Sequence, residues 1–250
     1  GERNVFIGGQ AGQYTPSGNN NTIVGQNAGK NVTGQGNLIL GQHAGLGHTT
    51  GSHNIAMGYA AYGSGGDGRN YTISIGPYAG MKAGEKSISM GWAGGYKNTG
   101  NLNVILGADA VCASTSSGNT QAIIGAAAGK TLSSGSGSAF LGYAAGCTVT
   151  TGSGNVFLGK YAGKGQTVGA ENIAIGYGAG CNSGGNNIRR TIAIGMNVQL
   201  PSITSCDQLV IGCSTSSWIV GNSSFNVGIG TTNPDAAVTS GNTQKLSVGI

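Results

Sequence analysis

Acidic side chains are scarce in this sequence. Its 250 residues hold 7 Asp and Glu against 12 Lys and Arg, and charged residues make up only 8% of the chain. The acids (Glu2, Asp67, Glu85, Asp109, Glu171, Asp207 and Asp235) lie too far apart to form a carboxylate pair visible in the sequence. An enzyme would show paired carboxylates, an activated nucleophile or metal-ligand spacing. No catalytic residue, cofactor or metal ligand is therefore assigned, and the chain reads as non-enzymatic. A calcium-loop solenoid would need an aspartate in every repeat, which the acids cannot supply. No apolar run approaches the ~18 residues of a membrane span, and no basic-then-apolar signal segment opens the chain. The net charge of +5 is scattered, apart from Arg189-Arg190. Nucleic-acid binding would want a basic stripe interleaved with aromatics. Neither nucleic acid nor membrane insertion is expected. Five cysteines without paired short spacing fit neither a disulfide scaffold nor a zinc site. His43, His48 and His53 read as solvated loop histidines, although an oligomer could gather copies of one of them around a metal on its axis.

Glycine, in contrast, is abundant at 51 residues and strictly placed. The phrase Asn4-Val5-Phe6-Ile7-Gly8 returns as Asn37-Leu38-Ile39-Leu40-Gly41, Asn155-Val156-Phe157-Leu158-Gly159 and Asn172-Ile173-Ala174-Ile175-Gly176. Anchoring glycines from Gly8 to Gly212 follow one another at intervals of 15 to 19 residues. Such a short period marks a solenoid, and the β-branched and aliphatic run before each anchor marks a strand. The expected fold is all-β, a parallel β-solenoid (β-roll) of about thirteen coils. At about 4.8 Å per coil, these would extend roughly 60 Å if every coil stacks. The first repeat is under way at Asn4 with no polar cap before it, as in part of a longer protein.

Counting from the anchor, position −1 is apolar in every repeat and position −3 in nearly every one, with Thr22 the exception. Both point to one side of a strand, and they read as the inward face. Position −2 carries Phe6, Ile23, Ile39, Ile105, Ile123, Phe140, Phe157 and Val210, with smaller residues in other repeats. A strand apolar on both sides is covered on both sides. These eight residues are therefore expected to pack against further copies of the chain, in a homotrimer built on cyclic symmetry. Position −4 is Asn in most repeats, able to bond from coil to coil as a ladder. After the anchor comes an Ala-Gly corner (Ala11-Gly12, Ala28-Gly29, Ala145-Gly146), then a variable polar stretch that absorbs the spread in repeat length.

Two further columns stand out. Tyr59, Tyr78, Trp92, Tyr143, Tyr161 and Tyr177 follow their anchors closely and should share one outer edge, where such rings contact sugars or protein partners. Cys112, Cys147 and Cys181 all fall at position +5, alternating with Lys130 and Lys164. Two coils are too far apart for a disulfide within one chain, so free thiols, or bridges only between chains, are expected, with a neighbouring ammonium able to lower their pKa.

The Asn-Val-x-Ile-Gly phrases with a small-residue corner resemble the head repeats of trimeric autotransporter adhesins, which are trimeric left-handed β-rolls. Asn226-Val227-Gly228-Ile229-Gly230-Thr231-Thr232-Asn233-Pro234, followed by Lys245-Leu246-Ser247-Val248, resembles the connector that follows repeat shafts in bacteriophage tail fibres. These resemblances imply two segments, a repeat shaft at 1–221 and a connector at 222–250 leading to a tip or chaperone domain. They imply a structural component of a virion tail fibre, with other tail proteins and a host surface glycan or protein as partners. The rival expectation is an adhesin or extracellular filament at a bacterial cell surface. An ice-binding solenoid would need a flat threonine array, which Thr120, Thr150 and Thr151 do not form.

Overall fold

The computed structural model describes residues 1–15, 17–47, 50–63, 68–181, 187–202, 204–231, 234–235 and 246–248. His48, Asp67, Thr232, Asn233 and Lys245 lie outside the described residues. The protein is an all-β, mostly parallel β-solenoid, and its chain forms two compact units, Gly1–Ser133 and Ser134–Ile250.

The first unit holds β1 (Val5–Ile7), β2 (Thr22–Val24), β3 (Leu38–Leu40), β4 (Ile55–Met57), β5 (Ile73–Ile75), β6 (Ile88–Met90), β7 (Val104–Leu106) and β8 (Ala122–Ile124). Every neighbouring pair is parallel, with like positions of successive repeats in register, as in Phe6↔Ile23 and Ile23↔Ile39. The second unit holds β9 (Ala139–Leu141), β10 (Val156–Leu158), β11 (Ile173–Ile175), β12 (Ile192–Ile194), β13 (Leu209–Cys213), β14 (Ser216–Gly221), β15 (Val227–Ile229) and β16 (Leu246–Val248). Here β9 to β13 continue the parallel pattern, with Phe140 opposite Phe157. The pairing then turns antiparallel from β13 to β14 and from β14 to β15.

From β1 to β12 each strand is three residues long because the anchoring glycine bends the chain away at once. From Gly8 to Gly195 the anchors have φ between +114° and +152°. A Cβ on Gly41 would sit 2.6 Å from the carbonyl oxygen of Gly58 in the next coil. Only a residue without a side chain allows backbones to approach so closely. Beyond the anchor, position +2 takes a left-handed conformation, as in Gln10 (φ 60°), Asn27 (φ 56°) and Asp109 (φ 56°). The turn closes with the Ala11 N–H donating to the Gly8 carbonyl at 3.2 Å.

This corner decides which side of the strand faces inward, and it reverses the expected assignment. The Ala-Gly pair folds back beneath position −2, so a Cβ on Gly12 would lie 2.9 Å from the Phe6 ring. Ile23, Ile39, Ile105, Ile123, Phe140, Phe157 and Val210 are 0–1% exposed within a single chain. They form its core with the corner alanines and with Val32, Leu132 and Val149. These seven have no surface to offer a second copy. Phe6, in the first coil, is the exception at 40% exposed. Positions −1 and −3 instead face outward and are half-buried or exposed, among them Leu141 (46%) and Leu158 (40%).

In one coil the interior compensates for a small residue at position −2. Where −2 shrinks to Ala56, position +4 enlarges from glycine to Tyr62, whose ring fills the space at 1% exposure. Burial, above all, pushes the Tyr62 phenol up to about 12. The asparagines at −4 share the inward side with −2, and they do form a ladder. Each spans the coils through backbone groups: the Asn37 N–H donates to Asn21 Oδ1 at 2.9 Å, and Asn21 Nδ2 donates to the Gly34 carbonyl at 2.9 Å. Buried amides that are satisfied on both ends cost little and fix the register of the stack.

Candidate functional site

Two outward surfaces carry the functional argument, and both follow from the coil geometry. The first is the strand face made of positions −3 and −1. Its columns run Val5, Thr22, Leu38, Ile55, Ile73, Ile88, Val104 and Ala122, and Ile7, Val24, Leu40, Met57, Ile75, Met90, Leu106 and Ile124, in the first unit. The second unit continues the pattern with Val156 and Leu158, then Ile173 and Ile175. No charged side chain interrupts these strands. An uncharged, largely aliphatic sheet face of this extent is far beyond the isolated apolar residues normal on soluble surfaces.

The second surface is the aromatic edge just after the anchors. In the first unit His43 meets Tyr59 edge-on with ring centres 5.9 Å apart. Tyr59 meets Tyr78 at 5.2 Å, and Tyr78 meets Tyr96 at 6.4 Å, both edge-on. In the second unit Tyr143, Tyr161 and Tyr177 form a similar run at 5.5 and 6.1 Å. The edge read from the sequence thus exists, in two separate runs. The sequence reading missed two of its members, Tyr96 and Lys160. Tyr96 belongs because +5 lies beside +2 of the preceding coil, a neighbourhood that only the corner geometry reveals. Desolvation, and then the neighbouring Tyr59, raise the Tyr78 phenol above its ordinary pKa.

The two runs differ in charge. Lys160 holds its ammonium over three rings at once, 5.7 Å from Tyr143, 5.2 Å from Tyr161 and 5.8 Å from Tyr177. Lys164 covers Tyr161 at 4.7 Å. In the first unit Tyr78, Trp92, Ala93, Tyr96, Asp109 and Cys112 instead line an open cradle of about 290 Å³.

All five cysteines are thiols. The expected drop in thiol pKa does not occur at Cys112. Burial and the Asp109 carboxylate, which accepts the Sγ–H at 3.6 Å, raise it, and Lys130 opposes them only in part. His43 packs on Tyr59 and His53 stacks on Tyr71 at 5.4 Å. Among the described residues, no three His, Cys, Asp or Glu side chains converge on a common point. In the second unit, Arg190 and Asp207 form an exposed ion pair that lowers the Asp207 carboxyl below its ordinary value.

No family model matches the chain, and neither does any curated protein or solved structure.

Proposed function

We propose that this chain is a structural fibre component, the trimeric shaft of a bacteriophage tail fibre that holds host-binding parts away from the virion. One observation carries the reading: the outward −3 and −1 columns are aliphatic, uncharged and periodic. A cover for that face must be apolar and must repeat at the same spacing, and another copy of the chain meets both demands. Cyclic symmetry brings three identical faces onto one axis. The interchain contacts therefore belong to residues such as Ile124, Leu141, Val156 and Leu158, and not to the buried −2 column. Within each unit, the stacked backbone bonds and the asparagine ladder supply stiffness, as a strut requires. The exposed rings of the aromatic edge, such as Tyr143 and Tyr177, offer weak contacts to a host surface glycan or protein.

The variant Val156→Lys/Leu158→Glu, which places charges on this apolar face, tests the assembly. Light scattering should find a trimer for the parent chain and a monomer for the variant, with unchanged circular dichroism. A soluble, stable parent monomer would overturn the reading. Antibody labelling of virions against this chain should decorate their fibres. The same architecture in a bacterial adhesin or extracellular filament would instead label the cell surface.

A further inference from the structure

We infer that Tyr78, Trp92, Tyr96 and Asp109 form a binding site for a quaternary ammonium group of the choline class. This holds whether or not the chain belongs to a fibre, because it rests on the first unit alone.

The cradle exists because one column lacks a tooth. Position +2 is Tyr78 in the coil of β5, Ala93 in the coil of β6 and Asp109 in the coil of β7. Ala93 takes the left-handed conformation of its column at φ 51°, so its methyl group forms only a shallow floor. Tyr78 and Asp109 rise on either side of it along the stack. Trp92, at +1, and Tyr96, at +5, bound it across the stack, and Cys112 closes the corner beside Asp109. The frame is fixed by backbone bonds between coils, with the Ala93 N–H donating to the Pro77 carbonyl at 2.9 Å and the Asp109 N–H to the Trp92 carbonyl at 2.9 Å. Trp92 is 53% exposed, so an indole face is open to a ligand.

Three aromatic rings and one carboxylate make a surface that attracts cations. The faces of aromatic rings carry negative potential, and Asp109 forms no ion pair, the Arg190–Asp207 bridge being the single salt bridge among the described residues. Lys130 lies one coil further on, close enough to act on Cys112, but it does not line the cradle. The second unit shows how this chain uses such a nest, since Lys160 places an ammonium over three tyrosine rings there. Among the described residues no lysine or arginine lies over Tyr78, Trp92 or Tyr96, so the first unit leaves that role to a ligand. The rest of the lining selects among ammonium groups. A primary ammonium brings three N–H donors that need acceptors, whereas the cradle offers one carboxylate, already accepting the Cys112 thiol, and two phenol oxygens beside otherwise apolar ring, methyl and thiol groups. A trialkylammonium group has no donors to satisfy and fills an apolar cradle with methyl groups. At about 290 Å³ the cradle sits near the low end of ligand pockets, which run from roughly 300 Å³ upward, and suits a single head group.

The test uses Trp92 as reporter, with Trp218→Phe removing the second tryptophan. Choline chloride, against matched sodium chloride, should shift Trp92 emission with saturation in the millimolar range. Its uncharged isostere 3,3-dimethylbutan-1-ol should bind at least about fivefold more weakly, the order of one Coulomb contact at this range in a watery medium. Asp109→Asn should weaken choline by a similar factor, and Ala93→Lys, which brings a lysine into the cradle, should abolish the shift. Thermal melts check that each variant still folds. Equal binding of the isostere, or undiminished binding by Asp109→Asn, would overturn the assignment. So would a saturable response to methyl glucoside or methylammonium stronger than that to choline, or no response of Trp92 to any probe.

Discussion

The side-chain oxygen of Asn155 accepts the backbone N–H of Asn172 at 3.0 Å, across the step between two coils. The same side chain donates through Nδ2 to the Gly169 carbonyl at 2.8 Å, and it is fully buried. It therefore serves both as spacer and as the partner of two backbone groups that water cannot reach. Replacing Asn155 with alanine strands both. Each orphaned buried group costs about 1–3 kcal/mol, so Asn155→Ala should lower stability by roughly 2–6 kcal/mol in urea denaturation. Asn155→Asp should do no better, because it keeps the acceptor but loses the donor and buries a charge. An unchanged midpoint in either variant would remove the ladder from the list of stabilising elements.

Glycine is required at the anchors by distance as well as by φ, and nearby positions provide a control. Gly41→Ala forces a methyl group to within 2.6 Å of the Gly58 carbonyl oxygen at φ +127°. The expected loss is at least about 3 kcal/mol. Gly9 has nothing within 4 Å of a modest added Cβ. Gly9→Ala should stay within about 0.5 kcal/mol of the parent, as exposed substitutions do. Melting temperatures of the two variants measured side by side would separate steric demand from mere glycine content.

Two buried hydroxyls run the other way. Ser74 and Ser89 occupy the inward −2 position in adjacent coils, and neither Oγ has a hydrogen-bond partner. Removing an unsatisfied buried hydroxyl relieves a desolvation cost. Ser74→Ala and Ser89→Ala should each raise stability by about 1 kcal/mol, read as a higher urea midpoint. A loss of that size in either variant would mean the hydroxyls are satisfied in solution.

Cys112 gives a pH-dependent readout. Burial and the Asp109 charge both disfavour the thiolate, so its titration lies above that of an ordinary thiol. At pH 8 the folded protein should therefore be alkylated at Cys112 more slowly than an unstructured cysteine peptide. Asp109→Asn removes the charge contribution, lowers the pKa and should speed alkylation. Slower labelling in that variant would contradict the assigned cause. Peptide mass mapping identifies the labelled cysteine.

The repeat itself was fully legible in the sequence, because a fixed glycine interval survives any change in the residues between. Parallel pairing and like-on-like register followed from it, down to Phe140 opposite Phe157. Which side faced inward was not legible from hydrophobicity, since Ile7 and Phe6 are both apolar and strand alternation alone cannot rank them. The deciding information sits four residues after the anchor. Gly12, Gly146 and Gly163 have their side-chain space taken by Phe6, Phe140 and Phe157, while Tyr62 faces the small Ala56. That reciprocal sizing is a sequence signal, but one that reads as meaningful only once the corner is known to fold back under the strand. The cradle was half legible for the same reason. Trp92 and Tyr78 were visible as edge aromatics, whereas Tyr96 and Asp109 join them only through adjacency between coils.

The way coils meet has a consequence for heredity. In the regular stretches, each coil touches its neighbours through the same strand register and the same glycine-to-glycine approach. Unequal exchange that drops or duplicates about 17 codons would rejoin surfaces that already fit. The gene can therefore revise the length of its product in whole steps, with no new packing problem to solve at the seam.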